Sequence, residues 1–361
     1  EKIKEFNFGV DFAVLQNRIN ITADAYRRLA DGQIMKSTVP LETGESSLTT
    51  NIGSVQNAGI ELGVNFGVIR NQNFTWDVNV AFARNWSKIK ELPSGDDVSN
   101  NWFIGERLNV LRDYTYAGVI TADGVTMHTI NGDKHYTLQE VYDKYGPKSP
   151  NKLKWYEGQM AVNDWNDDGK INDEDKQIYG CTDPKWTGSL SSTMTYKGFD
   201  FSFMLYTKQG QWSRSYFHEQ YMDISDRGRQ KMSFDYYIPA GTPVLDKATG
   251  DITYLETPHM GAYPYPNNYE KTGGGYFSKS SSGVRYQKTS FVKVKNITLG
   301  YTFPKKWMSK IAVKHLRLYV NVLNPFCFTG YDGFDPEWAS ANLTDGGPAS
   351  ITYQIGANIK F

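Results

Sequence analysis

The most specific chemical pattern in the chain is an acidic twelve-residue stretch with the spacing of a calcium-binding loop, Asp164–Asp175. Oxygen-bearing side chains stand at its positions 1, 3 and 5, glycine at position 6, and a carboxylate at position 12. Calcium takes six to eight oxygen ligands, and this spacing wraps them around one point. The sequence predicts a structural calcium ion there, with Asn172 contributing through water and Lys170 through its carbonyl. The predicted ligands are Asp164, Asn166, Asp168, Lys170, Asn172 and Asp175.

Position 12 departs from the usual calcium loop because Asp175 replaces the glutamate found there, and its shorter side chain reaches less far. An acidic turn exposed to solvent is the alternative interpretation of the same residues.

Aromatic residues outside the regular segments form a second group with recognisable chemistry. Flat rings with polar tips offer contact area to sugars and to peptides alike, and we expect these residues to bind substrate. Packing of one loop against another is the competing explanation. The predicted substrate-binding residues are Trp102, Phe103, Trp155, Tyr156, Tyr263 and Tyr265.

Catalytic patterns are absent from the sequence. The five histidines show no HExxH spacing, no GxSxG occurs, and no glycine-rich phosphate loop opens a helix. An enzyme is therefore not expected. The two cysteines, Cys181 and Cys327, form no CxxC or metal pattern, and whether they pair is left open.

The charge and hydropathy of the chain exclude two further classes. Lysine and arginine total 39, as do aspartate and glutamate, so no basic excess indicates a nucleic-acid partner. No apolar run approaches the ~18–20 residues that a membrane-spanning helix requires.

The elements that carry these loops have a strict two-residue alternation. In 74–82 the apolar residues occupy the even positions, and the patterns of 60–68 and 351–361 are of the same kind. Such alternation predicts strands with one apolar and one polar face. The nine segments are 4–15, 18–29, 57–68, 74–88, 186–196, 199–208, 290–303, 315–326 and 350–361.

Short and long connections alternate between these segments. The long loops are 30–56, 89–185, 209–289 and 327–349, and soluble domains seldom contain several loops of this length. Outer-membrane barrels have short periplasmic turns and long extracellular loops. This comparison predicts an all-β, antiparallel transmembrane barrel with extracellular regions at 89–185 and 209–289, and with Phe361 on the periplasmic side.

The predicted strands number nine, whereas single-chain bacterial barrels have even strand numbers. We therefore expect residues 1–361 to be the C-terminal part of a larger barrel, with the remaining strands N-terminal to Glu1 or on a separate chain. The chain opens within a predicted strand, as a fragment or a processed protein does.

Several motifs resemble those of the SusC/RagA family of TonB-dependent transporters. The family-like stretches occur in the same order as in the family and cover nearly the whole chain; 209–289 carries none. They are Asn51-Ile-Gly53 with Asn57-Ala-Gly59-Ile-Glu61, the calcium-like loop followed by Ile178-Tyr-Gly180 and Pro184-Lys-Trp186, Ser290 to Tyr301, Leu316 to Phe326, and Gly330 to Glu337.

The resemblance implies a 22-stranded outer-membrane barrel with an N-terminal plug and an active import function. It also implies coupling to the TonB complex, a SusD-like lipoprotein at the extracellular face, contact with outer-membrane lipid, and an oligosaccharide as the expected substrate. A peptide importer of the same family is the first alternative. A soluble calcium-stabilised carbohydrate-binding module and an outer-membrane enzyme are the alternatives from other classes.

Overall fold

A computed structural model describes residues 1–38, 47–92, 95–145, 156–221, 235–265, 285–340 and 349–361, and strands dominate it. Nine long strands form one sheet, and short strands and helices occupy the long connections. In chain order the strands are β1 (Lys2–Val14), β2 (Ile19–Thr38), β3 (Ser47–Arg70), β4 (Phe74–Glu91), β5 (Val110–Tyr114), β6 (Tyr116–Val119), β7 (Val125–Thr129), β8 (Gly132–Tyr136), β9 (Met160–Val162), β10 (Lys176–Cys181), β11 (Trp186–Tyr196), β12 (Phe199–Gln209), β13 (Trp212–Arg214), β14 (Pro243–Leu245), β15 (Ile252–Tyr254), β16 (Tyr286–Lys288), β17 (Phe291–Thr302), β18 (His315–Thr329) and β19 (Thr352–Lys360).

The helices of the described residues are short. None of them is long and apolar enough to cross a membrane. They are α1 (Leu138–Tyr145), α2 (Tyr216–Tyr221), α3 (Lys305–Met308) and three 3-10 turns at Val98–Asn100, Asp173–Asp175 and Ser309–Ile311.

The long strands follow one another in the order of the chain, β1-β2-β3-β4-β11-β12-β17-β18-β19, and every neighbouring pair is antiparallel. These nine strands coincide with the nine predicted segments, and the antiparallel all-β prediction is confirmed. Strand β4 pairs directly with β11, so no described strand of the intervening insert joins the main sheet. Strands β2 and β3 extend further than predicted, to Thr38 and back to Ser47.

Tight turns join the strands at one end of the sheet. Leu15, Gln16 and Asn17 all have positive φ, and so do Lys197 (45°) and Gly198 (93°). Positive φ at both central residues matches the twist of the flanking strands in a two-residue hairpin. We call this end of the sheet the short-turn end, and the opposite end the long-loop end.

One face of the sheet is a continuous apolar surface. Residues directly opposite each other share a face, and one row runs across six neighbouring strands through Phe12, Ile21, Val64, Val80, Leu190 and Leu205. This face stays exposed, with Phe6 at 72% and Ile355 at 86% of their full accessible surface. A soluble sandwich would bury such a face against a second sheet, whereas a membrane barrel turns it towards lipid.

The opposite face of the sheet is polar. Asn20 lies opposite Asn65, and Asn65 lies opposite Asn79. Near the short-turn end, Arg317 donates to both carboxylate oxygens of Asp200. Polar rows of this kind suit a water-filled barrel interior.

The two cysteines are both free, Cys181 buried in the insert and Cys327 exposed on β18. Burial raises the pKa of the Cys181 thiol, so its reactive thiolate is disfavoured. The disulfide that the sequence left open does not form in this structure.

The face assignment makes a prediction about charge in the middle of β11. Replacing Leu190, on the apolar face, by arginine should destabilise the assembled sheet by about 2–4 kcal/mol because the charge would face lipid. Thr193→Arg is the matched control, since Thr193 is exposed on the polar face. Urea titration of the folded protein in lipid vesicles measures both variants, and equal losses for the two would contradict the face assignment.

Candidate functional site

The hydrophobic core of the described residues lies in the insert between β4 and β11, rather than in the main sheet. Fully buried side chains from β7, α1 and the segment after 156 pack together there, including those of Met127, Val141 and Tyr156. Tyr142 and Tyr156 meet edge to face with ring centroids 5.2 Å apart. The insert is therefore a small packed unit at the long-loop end.

The calcium-like loop lies against this core with Asp164 fully buried. The Asp164 carboxylate accepts the N–H groups of Asp168 at 3.1 Å and Gly169 at 2.8 Å. Asp167 and Gly169 have positive φ, at 64° and 81°, which bends the backbone back over the Asp164 side chain. The glycine at position 6 of the pattern thus lies at the sharp turn of the loop.

The end of the loop is closed by a reciprocal cap. Asn172 accepts the N–H of Glu174 at 2.8 Å, while the buried Asp175 accepts the N–H groups of Asn172 at 2.8 Å and Asn166 at 3.3 Å. Burial raises the pKa of Asp175 and outweighs the lowering effect of these N–H groups. A second buried carboxylate is therefore held inside the loop.

One hydroxyl group and one ammonium group from outside the loop also reach Asp164. The Tyr145 hydroxyl donates to its Oδ2 at 2.6 Å, and the Lys144 ammonium lies 3.3 Å from the same oxygen. Within the described ranges no group of three or more His, Cys, Asp or Glu side chains is arranged to hold a metal ion. The residue types and their spacing in the loop are those that calcium requires, and each carboxylate has about four lone-pair sites. The calcium ion stays a prediction.

A cleft of about 440 Å³ opens where the insert, the 209–289 loop and the segment after β18 meet. We call it the aromatic cleft. Tyr179 stands at its centre, with its ring centroid 5.1 Å from that of Tyr286 and 5.8 Å from that of Trp212. The residues lining it are Tyr116, Tyr179, Trp212, Ala262, Tyr263, Tyr286, Gln287, Lys288 and Gly330.

Hydrogen bonds hold the tyrosines of the aromatic cleft in place. Tyr179 donates to the Tyr114 carbonyl at 2.5 Å, and Tyr116 donates to the Ala262 carbonyl at 3.0 Å. Burial raises the pKa of Tyr179 and of Tyr263 well above the ordinary tyrosine value. Both phenols are neutral at physiological pH, so their rings present uncharged surface.

Tyr263 is positioned by a network that joins two long loops. Its hydroxyl donates to Asp332, and its ring stacks on the fully buried His218, with centroids 5.8 Å apart. His218 contacts Asp332 through Nε2 and Ser215 through Nδ1, each at 2.6 Å. Burial opposes ionisation of Asp332, but the hydrogen bonds from His218 and Tyr263 prevail and lower its pKa.

The Ser215–His218–Asp332 chain has the residue types of a hydrolase triad, but Ser215 is not placed as a nucleophile. Its side chain is fully buried, it accepts the N–H of His218 at 3.3 Å, and its oxygen also contacts the Tyr331 hydroxyl at 2.7 Å. A nucleophile must be able to reach a substrate carbonyl, which this oxygen cannot do. The role of these three hydrogen-bonded residues is to join the loops.

Buried ion pairs fix the same loops to the wall of the sheet. Lys293 on β17 is 3% exposed, and its ammonium lies 2.6 Å from Asp335 and 2.6 Å from Glu337. Lys295 adds a contact of 2.8 Å to Glu337. The segment after β18 is thereby held against the polar face.

A second, charged cleft of about 570 Å³ adjoins the aromatic one. Asp113 stands between them, because its carboxylate accepts hydrogen bonds from the Arg285 guanidinium at 2.5 Å and from the Tyr286 hydroxyl at 3.0 Å. Lys176 pairs with Asp173 at 2.6 Å, and the Arg112 guanidinium donates to the Asp173 carbonyl at 2.8 Å. The charged cleft therefore presents mostly compensated charge.

The structure brings few of the predicted substrate residues together. Tyr263 lines the aromatic cleft, and Tyr265 lies beside it against Gly158. Trp102 and Phe103 lie elsewhere: Trp102 pairs with the Asp97 backbone, and the Arg112 guanidinium covers the Phe103 ring at 5.7 Å.

The remaining two predicted substrate residues are Tyr156 and Trp155. Tyr156 is fully buried in the core of the insert, so its assignment to substrate contact is wrong; the ring is there to fill the core. Trp155 lies outside the described residues.

The sequence did not indicate Tyr116, Tyr179, Trp212 and Tyr286, which are four of the five aromatic residues that line the aromatic cleft. All four belong to short strands of two different loops, 89–185 and 209–289. The available signal was an aromatic residue at or near the end of each short strand, and it does not reveal which strands meet.

Comparison with known proteins agrees with this architecture. No family model matches the chain. The whole chain aligns with the TonB-dependent receptor P39 of Formosa agariphila at 29% identity over 392 residues, and with the TonB-dependent receptor SusC of Bacteroides thetaiotaomicron at 28% over 366 residues. Along its full length the chain is SusC/RagA-like. It spans about a third of these relatives, 36% and 32% respectively.

Solved structures support the fold. The RagAB peptide transporter superposes with a TM-score of 0.70 over 99% of this chain and 35% of that one, at 18% identity. Its closed-closed state gives a TM-score of 0.67. The SusC/RagA-like chain thus has the fold of part of an outer-membrane transporter, and its relatives are named as receptors rather than enzymes.

The ion pairs on β17 make a prediction about the loop that they hold. Lys293→Met should leave Asp335 as an uncompensated buried charge and release the segment after β18, at a cost of about 3–5 kcal/mol. Lys295→Met, which removes a more exposed cation, should cost about 0–1 kcal/mol.

Limited proteolysis of the folded protein, with cleavage mapped to residues 329–340, measures both variants. Equal resistance of Lys293→Met and the unchanged protein would show that the ion pair does not hold the loop.

Proposed function

We propose that this chain forms part of an outer-membrane importer that takes up a nutrient actively, driven through the TonB complex. The observation that carries the proposal is the nine-stranded sheet with an exposed apolar face, together with TonB-dependent receptors as relatives over the whole chain. A SusD-like surface lipoprotein is the proposed partner at the long-loop end. The exposed hairpin β14–β15 offers apolar surface there, with Leu245 at 60% and Ile252 at 66% exposure.

The proposed orientation places the long-loop end outside the cell and Phe361 in the periplasm. It is supported by the difference in length between the connections at the two ends of the sheet. Lys197 and Gly198 then lie in a periplasmic turn.

Protease treatment of intact cells tests the orientation. Cleavage should occur within the long loops, such as the exposed hairpin β14–β15, and the turn at Lys197 should be cut only after the outer membrane is opened. A protease site engineered at Gly198 serves as a control for the accessibility of that turn. Cleavage at Lys197 in intact cells would reverse the proposed topology.

The aromatic cleft is the proposed contact site for an oligosaccharide. Five aromatic rings line it, no carboxylate is among its described lining residues, and its one lysine, Lys288, lies 5.4 Å from the Trp212 ring. A neutral ligand with flat apolar faces and many hydroxyls suits such a surface. A peptide is the second candidate, and the similarity to the RagAB peptide transporter favours it.

Binding by the purified full-length protein distinguishes the two substrates. Titration calorimetry with neutral oligosaccharides and with peptides of matched length should show binding of the oligosaccharides. Trp212→Ala should weaken it about tenfold, or about 1.4 kcal/mol. Tyr254→Ala is the control, because Tyr254 is an exposed loop aromatic outside the cleft. Binding of peptides alone would exclude the oligosaccharide, and no effect of Trp212→Ala would exclude the cleft.

A structural calcium ion in the insert is a further part of the proposal. The side chains of Asp164, Asn166, Asp168 and Asp175 and the Lys170 carbonyl would hold it, with Asn172 linked through water. The ion would supply positive charge to a loop that buries two carboxylates, Asp164 and Asp175. Its role would be to order the insert.

Removal of one ligand tests the calcium proposal. Asp168→Ala should abolish calcium binding in equilibrium dialysis and increase proteolysis between 160 and 180, whereas insertion of the barrel should survive. Asp133→Ala, an exposed carboxylate of the same insert, should change neither property. If the unchanged protein retains no calcium at millimolar concentration, the ion is ruled out.

A further inference from the structure

The outward face of β1–β4 changes character near the long-loop end. Along β4 the outward positions run from Val80 and Phe82 to Arg84, Trp86 and Lys88. The last three are exposed, and the Arg84 guanidinium covers the Trp86 ring at 4.8 Å. An apolar row thus gives way to a basic and aromatic one within a few residues.

Neighbouring strands continue this basic row. Arg27 of β2 lies opposite Ala58, and Ala58 lies opposite Trp86, so Arg27 and Trp86 share the outward face. Lys4 of β1 lies opposite Leu29 on the same face. We call Lys4, Arg27, Arg84 and Lys88 the basic rim. Arg27 donates to the Gln56 side chain at 3.0 Å, and no ion pair joins any of the four to another described residue.

The height of the basic rim can be related to the other membrane boundary. At the short-turn end an unbroken aromatic row crosses four strands through Phe74, Tyr196, Phe199 and Tyr301. Arg84 stands ten positions after Phe74 on β4 (84 minus 74). At ~3.3 Å per residue this is ~33 Å along the strand, or ~25 Å along the membrane normal for a strand tilted by about 40°.

That height equals the apolar band of an outer-membrane barrel, about 25 Å, so the basic rim reaches the headgroup level of the opposite leaflet. At the short-turn end the outward strand positions are aromatic or aliphatic, as at Phe74, Ile69 and Leu316, and the strand arginines Arg70 and Arg317 pair with Asp77 and Asp200 on the polar face. The two boundaries of the sheet therefore differ in charge on the surface that faces lipid.

An apolar groove lies directly below the basic rim. It has a volume of about 240 Å³, and Gly188 lies in its wall beside the Trp186 ring, which a Cβ at position 188 would meet at 3.3 Å. The Phe82 and Trp186 rings stand 5.8 Å apart at its upper side, and Leu190 and Leu205 line it further down. Its apolar walls suit a hydrocarbon chain.

We propose that the basic rim and this groove bind a phosphate-bearing, acylated glycolipid of the outer leaflet, of the lipid A type. Arginine and lysine would contact the phosphates, Trp86 would lie at the headgroup boundary, and one acyl chain would lie in the groove beside Gly188. In a cluster of basic residues beside a membrane-spanning segment, each lysine or arginine raises the affinity for anionic headgroups several-fold. The inference rests on the proposed outer-membrane location and orientation.

Native mass spectrometry of the full-length protein with added lipid tests the proposal. The probes are lipid A, lipid A stripped of its phosphates, and phosphatidylcholine. Lipid A should bind preferentially, and the triple variant Arg27→Gln, Arg84→Gln, Lys88→Gln should bind it about tenfold more weakly or worse. The control triple variant Lys305→Gln, Lys306→Gln, Lys310→Gln removes the same charge at the short-turn end and should bind normally.

The second arm concerns the groove. Gly188→Leu fills it and should weaken lipid A binding, while it leaves the phosphates' partners intact. Equal binding of stripped and phosphorylated lipid A, or equal losses in the two triple variants, would overturn the proposal. Nutrient uptake by cells is measured separately. Normal uptake with absent lipid A selectivity would reject only the lipid site, and selective lipid binding without uptake would reject only the import function.

Discussion

The constraint on which the rest of the structure depends is the hydrogen bonding of nine antiparallel strands in a fixed register. Successive side chains point to opposite faces, so a slip by one residue would exchange the apolar and polar faces of a whole strand. The row from Phe12 to Leu205 stays in register across six strands because every strand contributes an apolar residue at the matching position. Backbone groups inside a membrane must all find partners, and a continuous ladder supplies them.

The loops follow a different physical rule. They cannot depend on the sheet for a hydrophobic core, since its apolar face is outward and its inner face is polar. The insert has a core of its own, and elsewhere the loops are held by buried aromatic side chains such as Phe217 and Tyr237 and by a small number of buried polar contacts. Asp332 with His218 and Tyr263, and Lys293 with Asp335, join segments separated by more than forty residues in sequence. Such contacts form only when the loops pack against each other. The aromatic cleft is therefore a consequence of loop packing.

This difference explains how much could be predicted from the sequence. The strands were predictable because alternation is a local signal, repeated at each strand, and the structure departs from it only at ends such as Thr38. The pattern of the calcium loop was readable for the same reason: Gly169 and Asp164 are neighbours in sequence. The aromatic cleft was not predictable, because Tyr179, Trp212 and Tyr286 come from separate segments and nothing local specifies their meeting. Tyr156 shows the converse error, since its ring looks like a binding surface in sequence but fills the core of the insert.

The most direct test of the account is the alternation of environments along β4. Single cysteines placed from Trp76 to Ala83 can be labelled with a fluorophore in the protein reconstituted in lipid, and quenched either by a lipid-phase or by an aqueous quencher. Labels at the even positions should respond to the lipid-phase quencher, and those at Asp77, Asn79, Ala81 and Ala83 to the aqueous one. Labels that respond alike at even and odd positions would contradict a sheet with one face in lipid and the other in water.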